Sequence, residues 1–237
     1  MTSPYIFIRS GIDDMKLKLG KRLKAIVDMV DRCGVAAEIG TDHGKIPVYL
    51  VENAIVQKVV ASDISGPSLE KAIRLAEKAG VQEAVDFRLG DGLKVLRPGE
   101  ADTIIIAGMG GDLTVHMLVE GKDIVGDAVL VLQPMKDDSL LRRCLIELGY
   151  CIVDEDLAEE RDKIYTIIKA KKGHMNIKEN IFLEIGPILY RKRHPLLWRY
   201  IDYKIGLMKD ILRQKEDVDL AYKIREMEAM LNELKMS

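Results

Sequence analysis

Short apolar runs alternate with helical patterns over the first two-thirds of the chain. Residues 35–40, 58–62, 84–88, 103–107 and 128–133 read as strands, and several are apolar on both faces, as buried parallel strands are. Leu69, Ala72, Ile73 and Ala76 mark one intervening helix face, with Pro67 at its start and Gly80 at its end. A first amphipathic helix spans 17–31: Leu19, Leu23, Ile26, Val27 and Val30 share one side, and Lys16, Lys18, Lys21, Arg22 and Lys24 the other. Strand and helix in regular alternation predict a doubly wound α/β sheet.

The pattern changes after an apolar helix at 140–148. Strand-like runs at 151–157 and 163–169 are joined only by the polar link 158–162, too short for a parallel crossover, so the two should pair antiparallel. The expected fold is a seven-stranded, mainly parallel sheet closed by an antiparallel last strand, the layout of Rossmann-like class I methyltransferases. A nicotinamide dehydrogenase more often continues with a parallel strand. From His174 onward no strand pattern remains. Leu197, Ile201, Ile205, Met208 and Leu212 form one stripe, while Leu220, Ile224, Met227, Leu231 and Leu234 form a heptad seam. This predicts two antiparallel helices in a short coiled-coil arm. The division is thus 15–173 for an α/β domain and 174–237 for the arm, with the residues before Met15 a loose or alternative start.

Composition narrows the class. The 48% hydrophobic fraction is that of a globular protein with a proper core. No run approaches the roughly 18 apolar residues of a membrane span, and the N-terminus is too short and polar for a signal peptide, so the cytoplasm is expected. The 3 cysteines, Cys33, Cys144 and Cys151, form no C-x-x-C pair and lie near no histidine at ligand spacing, which argues against a metal. A net charge of -2 leaves any RNA-binding surface to local patches.

Candidate chemistry gathers at strand ends. Gly40 to Gly44, after the first strand, forms a Gly-x-x-x-Gly turn that lets a ligand approach the backbone. A dinucleotide turn would place glycine where Asp42 stands. That carboxylate repels phosphate, whereas Glu38 and Asp42 suit the ammonium and sulfonium of S-adenosylmethionine. Asp63, followed by Ile64, ends the second strand where a carboxylate can accept both ribose hydroxyls. After the third strand, Asp91 between Gly90 and Gly92 can take a bond from the adenine amino group. Strand four ends Ala107-Gly108-Met109-Gly110-Gly111, without the Asn/Asp-Pro-Pro-Tyr grip of many amino-group methyltransferases. Each aspartate alone is an ordinary turn residue; their recurrence at successive strand ends, where open sheets bind ligands, is what points to a cofactor.

The Gly-Thr-Asp-His turn of 40–43, the Gly-Met-Gly-Gly of 108–111, Leu132-Gln133-Pro134-Met135 and Glu184-Ile185-Gly186-Pro187 together resemble the bacterial tRNA (adenine-22 N1)-methyltransferases, the TrmK family, from about Leu17 to the C-terminus. The resemblance implies methyl transfer from S-adenosylmethionine to N1 of a tRNA adenine, with the arm helping to hold the RNA. Glu38 stands where the family usually has Asp, and Lys45 where it commonly has Tyr. N1 has a free lone pair, so catalysis rests on placement. Asp42 is then the candidate to follow the moving charge or bond the adenine amino group, and His43 to contact the base edge or, alternatively, to bond backbone at a helix start. Arg191, Lys192, Arg193 and His194, with Trp198, Arg199, Tyr200, Tyr203 and Lys204, are an RNA-binding candidate in which aromatics interleave with cations. Lys21 and Arg22 are a second. The alternatives left open are a methyltransferase for another substrate, a nicotinamide-dependent oxidoreductase, and a helical-arm interaction protein.

Overall fold

The computed structural model describes residues 17–236; Lys16 and the predicted start before Met15 lie outside them. Helix α1 (Lys21–Asp28) is shorter than its apolar pattern and leads into β1 (Cys33–Ile39), α2 (Lys45–Glu52), β2 (Val56–Asp63), α3 (Gly66–Ala79) and β3 (Val85–Leu89). Then follow β4 (Thr103–Met109), α4 (Gly111–Glu120), α5 (Lys122–Val125), β5 (Val129–Pro134), α6 (Asp138–Glu147), β6 (Tyr150–Glu160) and β7 (Lys163–Lys172). The sheet order is β3-β2-β1-β4-β5-β7-β6, with β1 to β5 parallel and β7 antiparallel to both its neighbours.

Period-two alternation in the central strands builds two cores. Ile104, Ile106, Leu130 and Leu132 face Leu118, Leu141 and Leu145 of α4 and α6. Ile105 and Val131 face the other way, onto Ile26 and Val27 of α1 and Ile46 and Leu50 of α2. The β6–β7 link is tighter than the sequence suggests. Residues 158–160 continue the strand, and the turn shrinks to Arg161 and Asp162, both at positive φ (50° and 62°), the geometry that matches hairpin twist.

Past β7 come α7 (Ile181–Ile185), α8 (Pro187–Arg191), α9 (Leu197–Leu212) and α10 (Val218–Met236). Residues 213–217 turn α10 back onto α9, and both predicted stripes contribute to a third core of Ile201, Ile205, Met208, Ile224, Met227 and Leu231. That core also takes in Leu157 of β6 and Ile181, Ile185 and Leu189 of α7 and α8, so the arm is rooted in the sheet.

A charged network seals the root. Arg142 of α6 is fully buried and donates to Glu155 Oε1 at 2.7 Å, Asp138 Oδ2 at 2.8 Å and the Leu183 carbonyl at 2.7 Å. Lys204 of α9 reaches Asp138 at 2.9 Å, and the Tyr200 hydroxyl donates to the same carboxylate. These cations hold the Asp138 carboxyl far below the usual range despite its burial.

Candidate active site

The parallel strands end together over a cavity of about 690 Å³, well within the size range of small-molecule sites. Glu38, Gly40, Asp42, His43, Asp63, Ile64, Gly90, Asp91, Gly92, Ala107, Gly108 and Met109 all line it, as their strand-end positions predict. Gly44 does not. It sits at φ +69°, and a Cβ there would lie 2.7 Å from the Ala72 Cβ, so its glycine serves the packing of α2 against α3.

The turn after β1 is held by backbone bonds from Gly40 and Thr41 N–H to the Ser62 carbonyl, both 2.8 Å. It throws Asp42 into a left-handed conformation, φ +49°, which a non-glycine residue adopts only at a cost. The gain is a backbone N–H that reaches Asp63 Oδ2 at 3.0 Å. Asp63 Oδ1 accepts from Ser65 N–H at 2.8 Å, so both of its oxygens are oriented and each keeps a lone pair for a ligand hydroxyl. His43 Nδ1 lies 2.5 Å from Asp42 Oδ2, so the two side chains form a pair and Nε2 is left without a protein partner among the described residues.

Glu38 is buried at 4% exposure, and among the described residues only the Thr41 hydroxyl donates to its Oε2. Burial first, and then the charges of Asp42 and Asp63, push its carboxyl up to about 8. Three acids around one cavity, one of them buried, offer carboxyl oxygens that can meet a cation. At the opposite edge Asp91 pairs with Lys94 Nζ at 2.9 Å, and the apolar side chain of Ile64, 74% exposed, stands free at the rim.

The Gly108–Gly111 turn owes its glycines to two separate constraints. Gly108 has φ +79°, while a Cβ on Gly111 would meet the carbonyls of Asp137 and Lys136 at 2.6 and 2.7 Å. Met135 N–H donates to the Met109 carbonyl at 2.7 Å, tying the loops after β4 and β5 together. Gln133, near the end of β5 beside this contact, is buried at 1% exposure.

Of the residues assigned to RNA by sequence, Arg22 lies elsewhere than expected: it lines this cavity, because its long side chain crosses from α1 to Gln133. Lys45, at the first turn of α2, is exposed and also borders the cavity. The cluster at the arm root is partly neutralised by β6: Lys192 pairs with Asp154 at 3.0 Å, His194 with Asp156 at 2.7 Å and Arg199 with Glu159 at 2.7 Å. Arg191 and Arg193 are exposed and form no ion pair among the described residues. Lys21 is exposed and its charge reaches Glu159, the partner of Arg199, so the two basic candidates meet there. Tyr200 is buried in the network, whereas Trp198 and Tyr203 are exposed.

A second groove of about 730 Å³ runs between α9 and the end of the sheet, lined by Trp198, Tyr203, Leu207, Tyr165, Lys136 and Lys163 among others. Met135 lines both this groove and the cavity, so the two are neighbours. Sequence spacing could not reveal it, since α9 and β7 meet only in the folded chain. Among the described residues no group of three or more His, Cys, Asp or Glu could hold a metal ion, and no helix is long and apolar enough to cross a membrane.

A family model described as a methyltransferase domain matches residues 19–168. The Bacillus subtilis tRNA (adenine(22)-N(1))-methyltransferase is 36% identical over 185 residues, covering 76% of this chain and 78% of that protein. The solved B. subtilis M1A22 tRNA methyltransferase TrmK aligns with a TM-score of 0.79 at 31% identity, over 92% of this chain and 99% of the other. A Streptococcus pneumoniae structure in complex with S-adenosyl-L-methionine gives 0.83 at 27% identity, over 90% and 100%. With its acid-lined cavity at the strand ends and these likenesses over most of its length, the chain belongs to the methyltransferase-domain family and, within it, to the tRNA (adenine(22)-N(1))-methyltransferases.

Proposed function

We propose that this enzyme methylates N1 of adenine 22 in tRNA, in the cytoplasm, with S-adenosylmethionine as donor. The observation that carries the reading is the placing of Glu38, Asp42 and Asp63 around one cavity whose glycine turn a pyrophosphate could not share. The same acids and the antiparallel β7 speak against a nicotinamide oxidoreductase.

The residues fit the donor. Asp63 presents two oriented oxygens to a ribose, Gly90 to Gly92 leave space for an adenine ring beside Ile64, and Glu38 faces an ammonium. Bound S-adenosylmethionine supplies a methyl made electrophilic by its sulfonium. Adenine N1 needs no base to expose its lone pair, so the protein's task is to hold N1 in line with that methyl, with water excluded. Asp42 and His43, on a strained turn at the cavity mouth, are the groups for the base: the His43 Nε2 side toward its edge, and the Asp42 carboxylate near the charge it gains. The backbone of Ala107 to Met109 walls the other side.

To reach N1 the adenine must leave its stack. The groove lined by Trp198 and Tyr203 borders the cavity at Met135 and offers stacking faces to its neighbours, with Lys136 and Lys163 for phosphates. Residues 15–173 thus carry the chemistry, and 174–237 hold the RNA. Arg199 lines that groove, and Arg191, Lys192, Arg193 and Lys21 supply further cations for the RNA. Calorimetry tests the donor site. Asp63→Ala should weaken S-adenosylmethionine about 10- to 100-fold, as loss of charge-assisted bonds does, and wild-type binding of NAD in its place would overturn the reading.

A further inference from the structure

We propose that Arg22 anchors the α-carboxylate of the methyl donor and is not an RNA contact. The inference rests on the donor reading above and adds a residue to it. By sequence Arg22 belongs with the basic face of α1, but its guanidinium turns inward. Nη1 donates to Gln133 Oε1 at 2.6 Å, and the group lies over the Tyr165 ring, 5.5 Å from its centroid. Gln133 is itself fixed, its Nε2 donating to the Pro134 carbonyl at 2.8 Å. A neutral amide and an aromatic face set the direction of the cation, and its one ion pair, with Glu160, is long among the described residues. The nearest carboxylate, Glu160, stands 3.9 Å from Nε, and Nη2 has no hydrogen-bond partner among the described residues.

Position adds a second argument. A Cβ on Gly108 would lie 3.9 Å from Arg22 Nη1, which puts the guanidinium against the turn that borders the transferring methyl. Arg22 is also near enough to Glu38 to pull that carboxyl down against the upward push of burial. One end of the cavity therefore presents a buried acid and a directed cation side by side. An α-amino acid carries ammonium and carboxylate on a single carbon, so a ligand whose ammonium meets Glu38 offers its carboxylate to the cation beside it. A pyrophosphate would meet the acids, and a simple polyamine would meet Arg22; an amino-acid zwitterion satisfies both. An RNA phosphate is poorly served, because the Arg22 side chain is only 23% exposed and backed by Tyr165 and Gln133, while Lys21 beside it is open.

The test compares S-adenosylmethionine with decarboxylated S-adenosylmethionine, which keeps the amine, sulfonium and nucleoside but lacks the carboxylate. Calorimetry on wild type, Arg22→Gln and Arg22→Lys gives both affinities, and filter binding of tRNA gives the third. Arg22→Gln should weaken S-adenosylmethionine about 10- to 100-fold, and Arg22→Lys should recover part of the loss. Decarboxylated donor should bind wild type and Arg22→Gln within about twofold, and tRNA affinity should not move. Equal losses for the two donors would make Arg22 a support of the cavity and overturn the proposal. Loss of tRNA affinity with unchanged donor affinity would return it to the RNA surface. If Arg22→Gln fails to fold, Gln133→Leu keeps the cation and removes its tether; it should lower the wild-type preference for the carboxylated donor, and an unchanged preference counts against the anchor. Failure of wild type to bind either donor would bring down the donor reading itself, a result separable from all of these.

Discussion

Glu38 makes the cofactor reading measurable through protons. Its carboxyl is displaced from 4.5 to about 8 in the protein without ligand. A shift of that size separates its two protonation states by on the order of 5 kcal/mol, since each pKa unit is worth about 1.4. The sign follows from linkage. A folded-state value above the unfolded one contributes stability that is fully present below pH 4.5 and is lost as pH rises through about 8. At pH 6.5 the carboxyl is therefore protonated. An ammonium placed against it supplies the charge that burial withholds, so binding should drive the proton off. Calorimetry of S-adenosylmethionine binding at pH 6.5, in two buffers with different ionisation heats, should show about one proton released per donor bound. Glu38→Gln should release none and bind at least about tenfold more weakly. Melting of the free protein should fall between pH 5 and 8, and fall less when the donor saturates it. A binding enthalpy independent of buffer, or the same proton release from Glu38→Gln, would refute the placement of the ammonium.

Two further predictions concern the arm. Arg142→Ala leaves the carboxylates of Glu155 and Asp138 without their buried partner, which should cost about 3–5 kcal/mol and lower the melting temperature by roughly 6–20 °C. A fall within about 3 °C would show that the network contributes little. Trp198→Ala combined with Tyr203→Ala should weaken tRNA binding about tenfold or more, by the usual worth of base stacking, with donor affinity unchanged. Intact tRNA affinity would remove the groove from the RNA track.

The strand ends were legible because acids and glycines at successive βα turns have few other reasons to recur. Glu38, Asp42, Asp63 and Asp91 come from the ends of three strands, β1, β2 and β3, and line one cavity because a parallel sheet carries its carboxyl ends to one edge. Short-range patterns could not place long side chains. Arg22 sits on a basic helix face by sequence, yet its target, Gln133, lies 111 residues on. The motif Leu132-Gln133-Pro134-Met135 gave the family resemblance without revealing that Gln133 directs a cation. Gly44 looked like the second glycine of a ligand turn, but its neighbour is Ala72 of α3, a contact that spacing does not encode. The arm shows the same divide. Its stripes announced the helix pair, but residue 174 marks a change of pattern, not a seam that could be cut. Glu155 Oε2 accepts from Ile188 N–H at 2.9 Å, and Arg142 donates to the Leu183 carbonyl at 2.7 Å, so removing everything from His174 onward would strip buried charges of the sheet domain.

The central claim is best tested by incubating the full chain with tritiated S-adenosylmethionine and unmodified bacterial tRNA, followed by nuclease mapping of the labelled base. The account predicts one methyl per tRNA, at N1 of adenine 22, and none on a transcript carrying another base at that position. Label at a different nucleotide, or none from an enzyme that binds the donor, would contradict it.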